Sequence, residues 1–190
     1  MSKDWWKNFF VEGYLKLWEA RPLTRDRTRK EVKFLIDVLK LKKGTKVLDL
    51  CCGQGRHAIL LAKEGLNVTG VDYSNYLLTV AKKRAQKERA KINFIRQDVR
   101  KLNLKDRFDV VLNLFTAFGY GSDEDNKKII KNVAAVLKPD GYFLIDLPNI
   151  AYLLKNYKED VWQPTEEGIM RGENRFDVEK FANLTKLRFI

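Results

Sequence analysis

Histidine is nearly absent from this chain, with one in 190 residues, and cysteine occurs only twice. His57 and the adjacent pair Cys51 and Cys52 do not make up a zinc ligand set, so no resident metal is expected. Neighbouring cysteines close an intrachain disulfide only with strain, and free thiols suit a reducing compartment. No apolar run approaches the length of a membrane span. The first residues, with Trp5, Trp6, Phe9 and Phe10 among Lys3, Asp4 and Lys7, lack the small-residue cleavage site of a secretory signal. These shortages predict a cytoplasmic protein with no membrane partner. Repeats and low-complexity tracts are also missing, and 190 residues with 45% hydrophobic content suit one domain.

Acidic residues are in the minority, 25 against 37 basic ones, for a net charge of +12. Such an excess suits a nucleic-acid partner. The basic residues are dispersed, however. Lys82, Lys83, Arg84 and Lys87 share one predicted helix and Lys127, Lys128 and Lys131 another, with no aromatic side chains between them to stack on bases. A solvated lysine-rich surface, common in thermophiles, is the favoured reading. Nucleic acid is the less favoured partner.

One stretch organises the rest. Val47-Leu48-Asp49-Leu50 reads as a short buried strand, Gly53 and Gly55 follow, and Ala58, Ile59, Leu61 and Ala62 mark the apolar face of a helix. A strand entering a helix through a glycine turn leaves backbone N–H groups beside a ligand. A second strand, Asn67-Val68-Thr69-Gly70-Val71, ends at Asp72, where a carboxylate can take the hydroxyls of a ribose. This is the pattern of a nucleoside-binding βαβ unit. Gly53-x-Gly55-x-x-Ala58 alone also satisfies the loose dinucleotide fingerprint, which leaves a nicotinamide cofactor open.

Other features narrow the choice. Asp49 lies inside the first strand, four residues before Gly53, where a carboxylate can face a cationic amine or order the glycine loop. Asp98 follows the apolar run Ile92-Asn93-Phe94-Ile95 and suits an adenine. Leu137 to Leu144 reads as a helix end, a turn at Pro139 and Gly141, and a new strand. In this order the motifs resemble the class I S-adenosylmethionine-dependent methyltransferases over most of Val47 to Asn149. Cys51 to His57 and Phe115 to Tyr120 look like a group of small bacterial and archaeal members. The resemblance implies an α/β, Rossmann-like, doubly wound and mostly parallel sheet with helices on both faces. It implies an enzyme with S-adenosylmethionine as cofactor, S-adenosylhomocysteine as product and a small-molecule methyl acceptor. The alternatives are RNA or protein methylation, or cofactor binding without catalysis. Expected cofactor neighbours are Tyr14, Asp49, Cys51, Gly53, Gly55, Asp72, Tyr73, Asp98, Val99, Asn113 and Leu114. Phe118 and Tyr120 are expected on the substrate wall, and Tyr120 and Asp146 are the catalytic candidates. The Asp/Asn-Pro-Pro-Tyr/Phe signature of base-directed amino-methyltransferases is missing after the fourth strand.

The remaining segments take places around that core. Residues 1–42 are expected to hold two helices. The first, Trp5 to Trp18, either covers the sheet or forms a lid that brings Tyr14 or Trp18 to the ligand. The second runs from Thr28 to Leu39, and Arg25, Arg27 and Thr28 at its start are read first as solvated side chains and second as partners of a cofactor carboxylate. Residues 43–149 form the cofactor-binding core, with the last helix capped by Asp123. Residues 150–190 read as a substrate-side segment, cut short or abbreviated relative to the family. The last strand, Tyr142 to Leu147, is therefore expected to be covered by Arg175 to Ile190 folding back, or by a second copy in a homo-oligomer.

Overall fold

The computed structural model describes residues 5–10, 13–15, 24–165, 168–179 and 182–189. They divide into two compact units, 1–147 and 148–190.

The first unit is built on a five-stranded sheet in the order β3-β2-β1-β4-β5, with every pairing parallel. Its strands are β1 (Lys46–Leu50), β2 (Asn67–Asp72), β3 (Ile92–Arg96), β4 (Phe108–Asn113) and β5 (Leu137–Ile145). The chain runs outward from β1 through β2 to β3, then returns to the other side of β1 with β4. The carboxyl ends of β1 and β4 therefore flank a topological switch point, where open α/β sheets bind ligands.

Parallel sheets need cover on both faces, and successive residues of β1 supply one side each. Val47 packs with Val32, Leu35, Ala58, Leu61, Val68, Val110 and Leu112, under α2 (Arg25–Leu39) and α3 (Arg56–Lys63). Leu48 and Leu50 pack with Val71, Phe108, Val111, Ile129, Val133 and Val136, under α5 (Asp123–Val136). Val47, Leu48, Leu50, Val71 and Val111 have no exposed surface. Burying each such side chain contributes about 1.5–3 kcal/mol, and this stabilisation fixes the strand ends that carry the site. The helix α4 (Asn75–Lys87) starts at Ser74, whose hydroxyl accepts from Leu77 N at 3.2 Å.

Several expected boundaries shift, each for a local reason. The first helix, α1, is Trp6–Phe9 only, because Phe10 leaves the helical region at φ −85°, ψ 68°. A separate helical turn covers 13–15, and Trp18 lies outside the described residues. Helix α2 begins at Arg25, three residues before the expected start, because Thr24 accepts a hydrogen bond from Arg27 N. Asp123 is not the cap of α5. Ser122 is, in a reciprocal capping box with Asp125. Pro139 and Gly141 do not precede the last strand but lie inside β5, as an irregularity in its pairing with β4 where Asp140 takes φ 62°.

In the second unit, α6 (Ile150–Lys155) precedes an antiparallel sheet in the order β6-β7-β8, formed by Asp160–Thr165, Gly168–Asp177 and Ala182–Phe189. Arg175 to Ile190, expected to fold back over the last parallel strand or to leave it to a second copy, forms no ladder with that strand among the described residues. Arg175, Phe176 and Asp177 pair instead with Leu184, Asn183 and Ala182 in their own hairpin. Among the described residues β5 remains an edge strand. No helix among them is long and apolar enough to cross a membrane.

Candidate active site

A cleft of about 1120 Å³, counting its open mouth, lies over the carboxyl ends of β1, β2 and β4. Its floor is the glycine turn. Cys51, Gly53 and Gly55 all take left-handed backbone angles, φ 55°, 54° and 75°, which coil the chain tightly between β1 and α3. Gly55 N donates to Cys52 O at 2.9 Å and Cys52 N to Val71 O at 3.0 Å. The turn is thus tied both to itself and to β2.

Asp72 completes that tie. Its Oδ2 accepts from Gly53 N and its Oδ1 from Ser74 N, both at 2.8 Å. Burial pushes this carboxyl above its ordinary range, opposed by the Ser74, Gly53 and Tyr73 N–H groups. One side chain therefore joins the glycine turn to the start of α4 while lining the cleft.

Asp49 is buried and also lines the cleft, yet its Oδ2 has no hydrogen-bond partner among the described residues. Burial, with nearby Asp72, raises its carboxyl to about 7 against the lowering charge of Arg56. An uncompensated buried oxygen costs free energy unless a ligand donates to it. Asp98 is satisfied from within. Arg100 Nη2 donates to its Oδ2 at 2.7 Å and Arg100 N to its Oδ1 at 2.9 Å. These hydrogen bonds outweigh partial burial and hold that carboxyl below its ordinary range.

The structure brings together Tyr14, Asp49, Cys51, Gly53, Asp72, Tyr73, Asp98, Val99, Leu114 and Tyr120 around the cleft. It does not bring Gly55, Asn113, Phe118 or Asp146 to the lining. A Cβ on Gly55 would meet Ala81 Cβ at 3.1 Å and Phe94 Cζ at 3.2 Å, so this glycine serves packing behind the turn. Asn113 is fully buried at the end of β4, and Phe118 packs on the core beneath α5. Asp146 accepts from Phe115 N at 3.0 Å through Oδ2. That bond supports the loop after β4, where Phe115 and Thr116 both have left-handed angles.

Sequence reasoning also missed residues. Arg25, Arg27 and Thr28 do not reach the cleft, whereas Arg56 does. Arg25 pairs with Glu88 and Arg27 with Glu31. Arg56 pairs with Glu31, donates to Thr28 Oγ1 at 3.0 Å, and lies 5.2 Å from the Phe115 ring centre. The only signal for Arg56 was its place right after the glycines. Trp6 and Phe10 line the cleft, and Arg100 lies two residues beyond Asp98. His57 Nε2 lies 2.9 Å from Glu31 Oε2. Burial holds the imidazole below its ordinary range, so the neutral ring donates from Nε2 to the carboxylate. Burial would raise Glu31, but hydrogen bonds from His57, Arg56 and Arg27 hold it well below the ordinary carboxylate range. Burial also pushes Tyr14 up to about 12 and Tyr120 higher still, so both phenols stay protonated at neutral pH.

Comparison with known proteins places this arrangement. The methyltransferase domain family model matches residues 47–141, half of the chain. The glycine/sarcosine N-methyltransferase of Aphanothece halophytica is 30% identical over 156 residues, covering 80% of this chain and 59% of that protein. Rat glycine N-methyltransferase is likewise 30% identical, with 60% of its length covered, so the chain spans about three fifths of these curated relatives. The fold matches a crystal structure of an S-adenosylmethionine-dependent methyltransferase from Clostridium acetobutylicum. The TM-score is 0.71 at 24% identity, over 95% of this chain and 79% of that one. A methyltransferase from Geobacter sulfurreducens, solved in complex with S-adenosyl-L-homocysteine, matches with TM-score 0.56 at 25% identity over 70% of this chain and 53% of that one. Because the family match runs through the glycine turn and all three acidic strand ends, the chain belongs to the methyltransferase domain family.

Proposed function

We propose that the chain binds S-adenosylmethionine in this cleft and transfers its methyl group to a small-molecule acceptor. The observation that carries this reading is Asp49 Oδ2, a buried carboxylate oxygen at the cleft wall that the described residues leave without a donor. Asp49 would accept from the ammonium of the methionyl part. When bound, the cofactor supplies an electrophilic methyl carbon on a sulfonium, open to in-line displacement.

The chain's part is to hold, orient and shield. Asp72 uses one lone pair of each oxygen on backbone N–H groups and keeps others for ribose hydroxyls. Tyr73 and Val99 would wall the base, and Asp98, fixed by Arg100, would border it. Cys51, Gly53 and Leu114 would line the methionyl side. The acceptor enters beside Tyr14 and Tyr120, whose protonated hydroxyls orient a nucleophile without removing its proton. Phe118 and Asp146 shape this end through the core and the loop after β4. The free adjacent thiols of Cys51 and Cys52 suit a reducing cytosol. The names of the glycine and sarcosine methyltransferase relatives support a small acceptor.

Calorimetry with S-adenosylmethionine and with NAD tests the cofactor. Asp72→Ala should weaken S-adenosylmethionine by about 1.5–3 kcal/mol, the range for hydrogen bonds to a charged group. Tight NAD binding, or an unchanged affinity in the variant, overturns the reading. Transfer of labelled methyl groups into the small-molecule fraction of a cell extract tests the acceptor. Label found only in RNA or protein contradicts it.

A further inference from the structure

Ser74 stands where three parts of the first unit meet. Its N–H donates to Asp72 Oδ1 at 2.8 Å, and its Oγ accepts from Leu77 N at 3.2 Å to cap α4. Its hydroxyl proton, the one donor left on that side chain, goes to the carbonyl of Phe10 at 2.6 Å. Capping fixes the hydroxyl oxygen, so the bond to Phe10 is aimed by the helix start. It holds the N-terminal segment against the residue next but one to a cleft carboxylate.

The same segment touches both ends of the cleft. On the side of β2 and β3, the Trp6 ring meets Tyr73 edge-on at 5.0 Å, and the Arg100 guanidinium that grips Asp98 lies 5.0 Å from the Trp6 ring. On the side of β4, Trp5 and Phe10 lie 5.4 and 5.8 Å from Tyr120. Trp6, Phe10, Tyr73 and Tyr120 all line the cleft. The segment thus contacts lining residues at both ends of the cleft.

We propose that Ser74 is a positioning residue, the latch of an N-terminal clasp that retains the nucleoside and joins its end of the cleft to the Tyr120 end. The inference rests on the proposed cofactor reading, since the clasp closes over the same cleft. The hydroxyl acts through Phe10 and Trp6, not by touching the reacting atoms.

The test follows S-adenosylhomocysteine leaving the full chain by stopped-flow tryptophan fluorescence, with affinity from calorimetry. Ser74→Gly removes the hydroxyl but keeps a residue that costs a helix cap only a few tenths of a kcal/mol. Dissociation should be roughly three- to tenfold faster, the range for one lost hydrogen bond. The fluorescence change on binding should shrink, as Trp5 and Trp6 are no longer held. Ser74→Thr keeps the hydroxyl and should return the rate to within about twofold of the parent, a rescue that capping alone does not give. A Ser74→Gly protein that releases the ligand at the parent rate, or a Ser74→Thr protein as fast as the glycine variant, overturns the clasp. A parent chain that binds no S-adenosylhomocysteine instead overturns the cofactor reading beneath it.

Discussion

Asp49 carries a charge problem that a bound cation would resolve. It lies on β1 among Arg56 and His57 from α3, Asp72 from β2 and the thiol of Cys51, with its carboxyl pushed up to about 7 by burial. Against an ordinary value of 3.8, the native state then holds a proton between those two pH values that the unfolded chain has released. This group's contribution to stability is therefore complete below 3.8 and is lost as pH rises toward 7. Glu31 works in the opposite sense, since its depressed carboxyl contributes stability above its ordinary range that is lost on acidification. A cationic ammonium beside Asp49 favours the carboxylate, so binding should expel a proton. The affinity for S-adenosylmethionine should rise as pH goes from 6 to 8, by at most about tenfold per unit below the Asp49 value. Calorimetry in buffers of different ionisation enthalpy should show proton release near pH 6.5 that disappears in Asp49→Asn. Binding without proton uptake or release at that pH would remove Asp49 from the ammonium's role.

At the scale of elements, the glycine turn is held by what packs behind it. Gly55 has φ 75°, and a Cβ there would meet α4 at Ala81 and β3 at Phe94 at 3.1 and 3.2 Å. Left-handed angles cost a non-glycine residue about 1–2 kcal/mol, and overpacking about 1–3. Gly55→Ala should therefore lower unfolding stability by roughly 2–4 kcal/mol in urea titrations, beyond any effect on ligand approach. Adding Phe94→Leu should recover part of that loss. No recovery would mean that the clash with β3 is not the cause. This role was hidden in the sequence, where the spacing of Gly53 and Gly55 speaks only of ligand approach. The strands were easier to read, because Val47, Leu48 and Leu50 in one and Phe108, Val110, Val111 and Leu112 in the other are apolar and buried. Pro139 and Gly141 misled, since the pairing of β5 with Phe108 and Val110 absorbs them as an irregularity. Asp146 misled as well, because its partner, Phe115 N, lies 31 residues away on another loop. Side chains at strand ends were legible where backbone direction alone places them, as with Asp49 and Asp72. They were not legible where a distant hydrogen bond decides.

For the molecule as a whole, the division at Leu147 separates the cofactor cleft from the C-terminal unit. Among the described residues those lining the cleft lie between Trp6 and Ile129, and all five parallel strands end by Ile145. The backbone hydrogen bonds of β6, β7 and β8 are made among themselves, with registers running from Asp160↔Glu173 to Met170↔Phe189. Gly53, Ser74 and Arg100, which hold Asp72 and Asp98 in place, all belong to the first unit as well. Residues 1–147 expressed alone should therefore fold cooperatively and bind S-adenosylhomocysteine within about threefold of the full chain, a difference under 1 kcal/mol. The edge of β5 has no strand neighbour among the described residues, and an unpaired edge invites association with another copy. Light scattering on both lengths of chain, run beside the ligand titration, tests the two statements together. A shortened chain that unfolds or loses the ligand would overturn the independence of the first unit. A dimer in both lengths would place the contact within the first unit, at an edge such as β5. A dimer only in the full chain would place it on the second sheet instead.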